Sequence, residues 1–286
     1  MSLSISDRTQ QSVPVLHALP WELMLEVFEL VIQEVKPSAL LCLSRTINAV
    51  IEAIIYRTVV LPSPQAVFLF HQSVSSKPPT FHTAHVLRLY LTYSPSWHAE
   101  PTLRRCLRDI LTACGGIREL TLPSAHGSIA RQYPTLTHLT VGSYEEEDKG
   151  AGKRKPTGDP SAITHLRICE PGCSLWCPPM EMLKSFGKLP SLTHLQLSRR
   201  MNANEENDEV FARDVEEILR RRSRLKMLIV SFFQAPVGAE VAAEETNIFR
   251  LLRGIDDERL VLERGCEEEW QSGRPFDWKV EAVAKD

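Results

Sequence analysis

Thr137-His138-Leu139, Thr164-His165-Leu166 and Thr193-His194-Leu195 place a histidine in the same local context three times. Imidazole is the side chain whose ordinary pKa lies nearest neutral pH, so a repeated histidine is a candidate for recognition that responds to pH. If each tripeptide lies on a strand and consecutive strands stack in register, the rings form a ladder on the solvent side of a sheet, with steps of about 4.8 Å. Stacked imidazoles resist joint protonation because like charges so close disfavour one another. The neighbours expected on that face are Arg88, Tyr90, Glu119, Arg167 and Gln196. With His138, His165 and His194 they form the candidate partner-binding set. The plainer alternative is that Thr-His is a tolerable polar pair on a solvated strand.

His165, Cys169, Cys173 and Cys177 recur every four residues. Nitrogen and thiolate ligands suit zinc, but structural zinc sites favour paired cysteine knuckles from separate turns. Pro171, Gly172, Pro178 and Pro179 break this segment. The expectation is small reduced cysteines packed in a loop, with no metal and no cofactor. Arg220, Arg221, Arg222, Arg224 and Lys226 fall at the end of a helical pattern, where positive charge complements the helix C-terminus, so no nucleic-acid partner is expected. Gly150-Ala151-Gly152-Lys153 lacks the spacing of a phosphate loop. No nucleophile elbow, His-Glu-x-x-His or dinucleotide glycine fingerprint is present, and the expectation is a non-enzyme with no catalytic residues.

The chain has 286 residues, enough for a small domain and a larger one. Its 33 basic and 36 acidic side chains give a net charge of −3, so no global field favours nucleic acid or an anionic membrane. Seven cysteines, an odd number at irregular spacing, do not make a disulfide framework and point to a reducing compartment, cytoplasmic or nuclear. No apolar run approaches the roughly 18 residues of a membrane span.

The elements that must position these residues fall into two kinds. Residues 1–13 read as a flexible tail. Met24, Val27, Phe28 and Val31 then repeat at helical spacing, with Pro20 and Glu22 suited to a first turn. Leu23, Leu25, Leu30 and Ile32 lie off that stripe, so this helix is apolar over most of its girth and needs covering on more than one side. A second helix follows Ser38, with Leu40, Leu41 and Leu43, and a third spans about 47–56. From residue 80 an apolar-x-x-apolar-x-apolar template recurs: Val86, Leu89, Leu91; Ile117, Leu120, Leu122; Leu136, Leu139, Val141; Ile163, Leu166, Ile168; Leu192, Leu195, Leu197; Leu225, Leu228, Val230. A weaker copy carries Leu260 and Leu262, with Asp257 in first place. Helical patterns at Thr102–Cys114 and Val210–Arg222 lie between copies. The logic is that of an irregular solenoid with a parallel sheet; an ordinary α/β domain with six parallel strands is the alternative. Residues 145–160, rich in charge, glycine and proline, read as a disordered insertion. Trp270, Phe276 and Trp278 are expected to seal the open end of the sheet as a C-terminal cap over 266–286.

Leu19-Pro20-x-Glu22-Leu23-Met24-x-x-Val27-Phe28 resembles the opening of the F-box. Leu43-Ser44-Arg45-Thr46-Ile47 through Ile55-Tyr56-Arg57-Thr58-Val59-Val60-Leu61 is similar to its continuation in fungal F-box proteins, where such a strand leads into divergent leucine-rich repeats. The resemblance covers residues 16–92 and is architectural beyond. It implies an α/β protein: a helical F-box over 14–60, then a leucine-rich-repeat-like domain over 61–265. It also implies a substrate-recognition adaptor of a cullin-RING ubiquitin ligase. Leu19, Pro20, Leu23, Val27 and Phe28, with Leu40 and Leu43, would dock on a Skp-type adaptor, and the repeats would hold an unknown protein substrate. The usual Leu-Val-Cys-Arg/Lys stretch is replaced by Leu41-Cys42-Leu43-Ser44-Arg45, and the tryptophan near the end of the motif is missing. A scaffold whose first helices only cap the solenoid is the other reading.

Overall fold

In a computed structural model, the structure describes residues 19–40, 44–92, 101–125, 129–130, 132–144, 162–169, 176–201, 204–233, 242–265 and 278. The tail over 1–13 and the insertion over 145–160 lie outside them, as do Leu43, Cys173, Trp270 and Phe276. The chain divides into two compact units, Met1–Arg57 and Thr58–Asp286.

The first unit holds α1 (Trp21–Glu34), α2 (Pro37–Leu40) and α3 (Arg45–Arg57). Pro20 immediately precedes α1, where its missing N–H costs no helical bond. Phe28, Leu40, Val50 and Ile51 form the core, with Met24, Leu25, Val31, Ile32, Ile47 and Ile54 packed around them. Glu29 on α1 pairs with Arg57 at the end of α3. Of the stripe read from Met24, Val27, Phe28 and Val31, Met24, Phe28 and Val31 pack in this core, whereas Val27 is 45 % exposed.

The second unit is α/β and carries one eight-stranded sheet. Its strands are β1 (Thr58–Leu61), β2 (Arg88–Leu91), β3 (Glu119–Leu122), β4 (His138–Val141), β5 (His165–Ile168), β6 (His194–Arg200), β7 (Met227–Phe233) and β8 (Leu260–Arg264). They stand in sequence order, and every neighbouring pair is parallel. The order never reverses, so this sheet has no switch point of the kind found in doubly wound folds. Thr58–Leu61, placed by sequence partly within the helical module, is the first strand of the sheet.

Register follows the apolar template. Leu89, Leu120, Leu139, Leu166, Leu195, Leu228 and Leu260 are successive partners along one rung. The first template positions, Val86, Ile117, Leu136, Ile163, Leu192 and Leu225, are all buried. A one-residue slip would turn every one of these leucines to the polar face, which is why the register is well specified. In the weak last copy, Asp257 replaces the apolar residue with a polar clamp. Its carboxylate accepts from the Arg259 backbone N and Nε, each at 2.9 Å, and from Nη2 at 2.6 Å. The Arg259 guanidinium also donates to the Leu219, Arg222 and Leu225 carbonyls, at and just beyond the end of a helix.

That helix is α8 (Glu205–Arg221), which starts before the apolar pattern because Asn204 accepts from the Glu206 N–H at 3.1 Å. The other connections are α4 (Pro64–Ser76), α5 (Pro79–His85), α6 (Pro101–Ala113), α7 (Pro179–Ser185) and α9 (Asn247–Arg253). Ser63 caps α4 by accepting from Ala66 N, and Thr246 caps α9 by accepting from Phe249 N. Prolines open α4, α5, α6 and α7, each at a position where the missing N–H costs nothing. No described helix is long and apolar enough to cross a membrane.

Candidate functional site

The alternation that sends Leu89 and Leu91 into the core sends Arg88 and Tyr90 to the other face. Across the sheet this builds two polar rungs. Arg88, Glu119, His138, His165, His194 and Met227 are partners in the first. Tyr90, Thr121, Thr140, Arg167, Gln196 and Ile229 are partners in the second. All eight residues expected to bind a partner therefore lie on two adjacent rungs of one face.

The histidine ladder is present. The His138 and His165 ring centroids are 4.2 Å apart with planes 10° from parallel. His165 and His194 are 4.3 Å apart at 5°. Each ring is held by the threonine before it: Thr137, Thr164 and Thr193 Oγ1 lie 2.9, 2.8 and 2.9 Å from the Nδ1 of the following histidine. The same hydroxyls donate to carbonyls of the preceding repeat, Arg118, Thr137 and Thr164. A hydroxyl has one proton, so each threonine that donates to a carbonyl accepts from Nδ1–H, leaving Nε2 as an acceptor. This threonine ladder is what sequence reading missed. The Thr-His repeat itself was the signal.

Burial lowers the pKa of all three rings. His165 is pushed down to about 4 by burial and then by His138 and His194 on either side. Burial also lowers His138 against the opposing pull of Glu119, and lowers His194 with help from Lys226. Burial raises the Tyr90 phenol, and the neighbouring Glu119 carboxylate raises it further.

The expected solvent exposure is corrected. Arg88 is exposed, and its Nε lies 3.4 Å from Glu119. The three histidines and Glu119 are half-buried, whereas Tyr90, Arg167 and Gln196 are buried. Arg167 Nε donates to Gln196 Oε1 at 2.6 Å, and Gln196 Nε2 donates to Ser231 Oγ at 2.6 Å, a polar chain over three strands. The cover includes Trp278. Its ring centroid lies 5.1 Å from that of His165 and 5.4 Å from that of His194. Trp278 was expected to seal the open end of the sheet; it sits instead over the middle of the polar face. Beside it is a cavity of about 170 Å³ lined by Glu119, His138, His165, Arg167 and Trp278, among others.

Of the cysteine series, Cys173 lies outside the described residues. His165 belongs to the ladder, while Cys169 accepts from Ser198 Oγ at 3.2 Å and packs on Phe233. Among the described residues, no group of His, Cys, Asp and Glu is arranged to hold a metal ion. Sequence reasoning also missed a buried ion pair. Arg199 leaves the core side of β6 and donates through Nε and Nη2 to Asp208 Oδ1, at 3.1 and 2.6 Å, on the first turn of α8. The Phe211 ring lies 5.6 Å from its guanidinium.

On the helical unit the expected docking residues separate. Pro20, Leu23 and Val27 are exposed and Leu19 half-buried. Phe28 and Leu40, expected on the docking surface, are in the core and support that surface from beneath. Leu30, not chosen from sequence for docking, is 66 % exposed. Leu23, Val27 and Leu30 follow i, i+4, i+7 and so share one stripe of α1, away from the side that meets α3. No protein-family model matches the chain, and no curated protein matches it.

Proposed function

We propose that this chain is a substrate-recognition subunit of a cullin-RING ubiquitin ligase. In this reading α1–α3 are an F-box that docks on a Skp-type adaptor. The sheet is a divergent leucine-rich-repeat solenoid, and its polar face holds a protein substrate. The observation that carries the reading is the stripe of Leu23, Val27 and Leu30, with Leu23 and Val27 each 45 % exposed. Contiguous exposed apolar side chains on a small helical unit mark a protein-binding surface, since leaving them in water forgoes about 1.5–3 kcal/mol for each fully buried residue. The unit also has its own core, so the stripe is not needed to fold it. The polar face supports the second half: parallel strands carry Arg88, Glu119 and three histidines along one rung of a rigid sheet, as a recognition scaffold requires.

Co-expression with a tagged Skp-type adaptor tests the reading. The wild-type chain is expected to co-purify, and Leu23→Ala combined with Leu30→Glu is expected to be lost from the complex. Retention of the double variant, or absence of the wild type, would overturn it.

A further inference from the structure

Tyr90, Arg167, Gln196, Ile229 and Ser231 lie on the face that alternation turns away from the apolar core, yet all are buried. A one-sheet face of this kind would meet water unless other parts of the chain lay on it. Trp278 is the described residue that does so from the C-terminal region, with its ring edge-on to His165 and His194 at 62° and 64°. With Nδ1–H committed to threonine, the imidazoles offer unprotonated Nε2 atoms, and an indole offers one N–H that can only donate. Two stacked rings 4.3 Å apart also give a wide aromatic seat. Next to the indole, the cavity walled by Glu119, His138 and Arg167 leaves room for a neighbouring side chain of either charge.

We propose that the polar face is a peptide-binding site whose anchor position takes a tryptophan, and that Trp278 fills it in cis as an intramolecular competitor. The partner is then a polypeptide presenting an exposed tryptophan, which must displace the chain's own. The proposal rests on reading the polar face as the partner surface. It does not involve the Leu23, Val27 and Leu30 stripe, so its failure and the failure of adaptor docking are told apart.

The test uses full-length protein and a fluorescein-labelled peptide of residues 271–286, followed by fluorescence anisotropy. Full-length Trp278→Ala should bind this peptide at least tenfold more tightly than the wild-type chain, whose own Trp278 occupies the site. A peptide carrying Trp278→Ala should bind the same variant at least tenfold more weakly, the size of loss expected for a buried tryptophan anchor. Full-length Trp278→Phe, which keeps an aromatic ring on the ladder, should give an intermediate affinity and serves if the alanine variant does not fold. Folded variants that bind neither peptide, or bind both alike, would overturn the proposal.

Discussion

Thr164 Oγ1 lies 2.8 Å from His165 Nδ1 while its proton points to the Thr137 carbonyl, so the threonine decides which nitrogen of the histidine carries hydrogen. The same arrangement holds at Thr137 and Thr193. Nitrogen-15 NMR is therefore expected to show the Nδ1-protonated tautomer for all three histidines at pH 7.5. Thr164→Val removes the acceptor and should return His165 to the Nε2-protonated form, at a stability cost of about 1 kcal/mol for the lost hydrogen bonds. An Nε2-protonated His165 in the wild type would contradict the assigned network.

The ladder also sets a pH dependence. His165 is held down to about 4 in the folded chain, below its ordinary value of 6.5, so the unfolded chain binds more protons between those limits. Stability then rises with pH through this window and is lost as pH falls from about 6.5 towards 4. The contribution of His165 is about 1.5 kcal/mol once solvent screening is allowed for. Urea unfolding at pH 7.5 and 4.5 measures it. His165→Gln should flatten the difference; an unchanged slope would sink the assignment.

Arg199 and Asp208 are both buried, 1 % and 3 % exposed. Arg199→Ala leaves a carboxylate without its guanidinium in the core and is expected to cost about 3–5 kcal/mol. Replacing both with apolar residues of similar volume should recover most of that loss, because the pair's desolvation is removed together with its attraction. Denaturant midpoints of the two variants decide this.

Gly116 and Gly187 separate two reasons for glycine. A Cβ at Gly116 would stand 2.0 Å from the Thr83 carbonyl oxygen, so alanine forces backbone to move. Gly187 has φ +78° and open space around its Cβ position, so alanine there meets only the left-handed backbone strain. Gly187→Ala should cost about 1–2 kcal/mol and Gly116→Ala more. Thermal unfolding of both variants checks the order.

The strand rungs were legible because the core side of each strand is apolar at fixed spacing: Leu89, Leu120, Leu139, Leu166, Leu195 and Leu228 declare themselves. The histidines were legible for the same reason, being one residue ahead of those leucines. What lay on the polar face was not. Alternation tells which way Arg167 and Gln196 point but not that they are buried, and composition around Trp278 carries no sign that it lands on His165 and His194. Arg199 was missed because it lies beyond the template, where an arginine on the core side looks like an error until Asp208 is placed opposite. Phe28 and Leu40 were assigned to docking by resemblance; packing of α1 and α2 on α3 claims them for the core. Leu30 was visible only as an apolar residue off the main stripe, and three-dimensional packing decided that it stays in water.

The proposed function requires that the exposed stripe of α1 dock on a Skp-type adaptor. Isothermal titration of the full-length chain with the purified adaptor tests it most directly, comparing the wild type with Leu30→Glu. Leu30 is the most exposed of the stripe, so this change leaves the core of the helical unit untouched. Saturable one-to-one binding by the wild type is expected, with at least a tenfold weaker affinity for Leu30→Glu, the loss of about 1.4 kcal/mol or more from one buried leucine. No binding by the wild type, or equal affinity of the two chains, would contradict it.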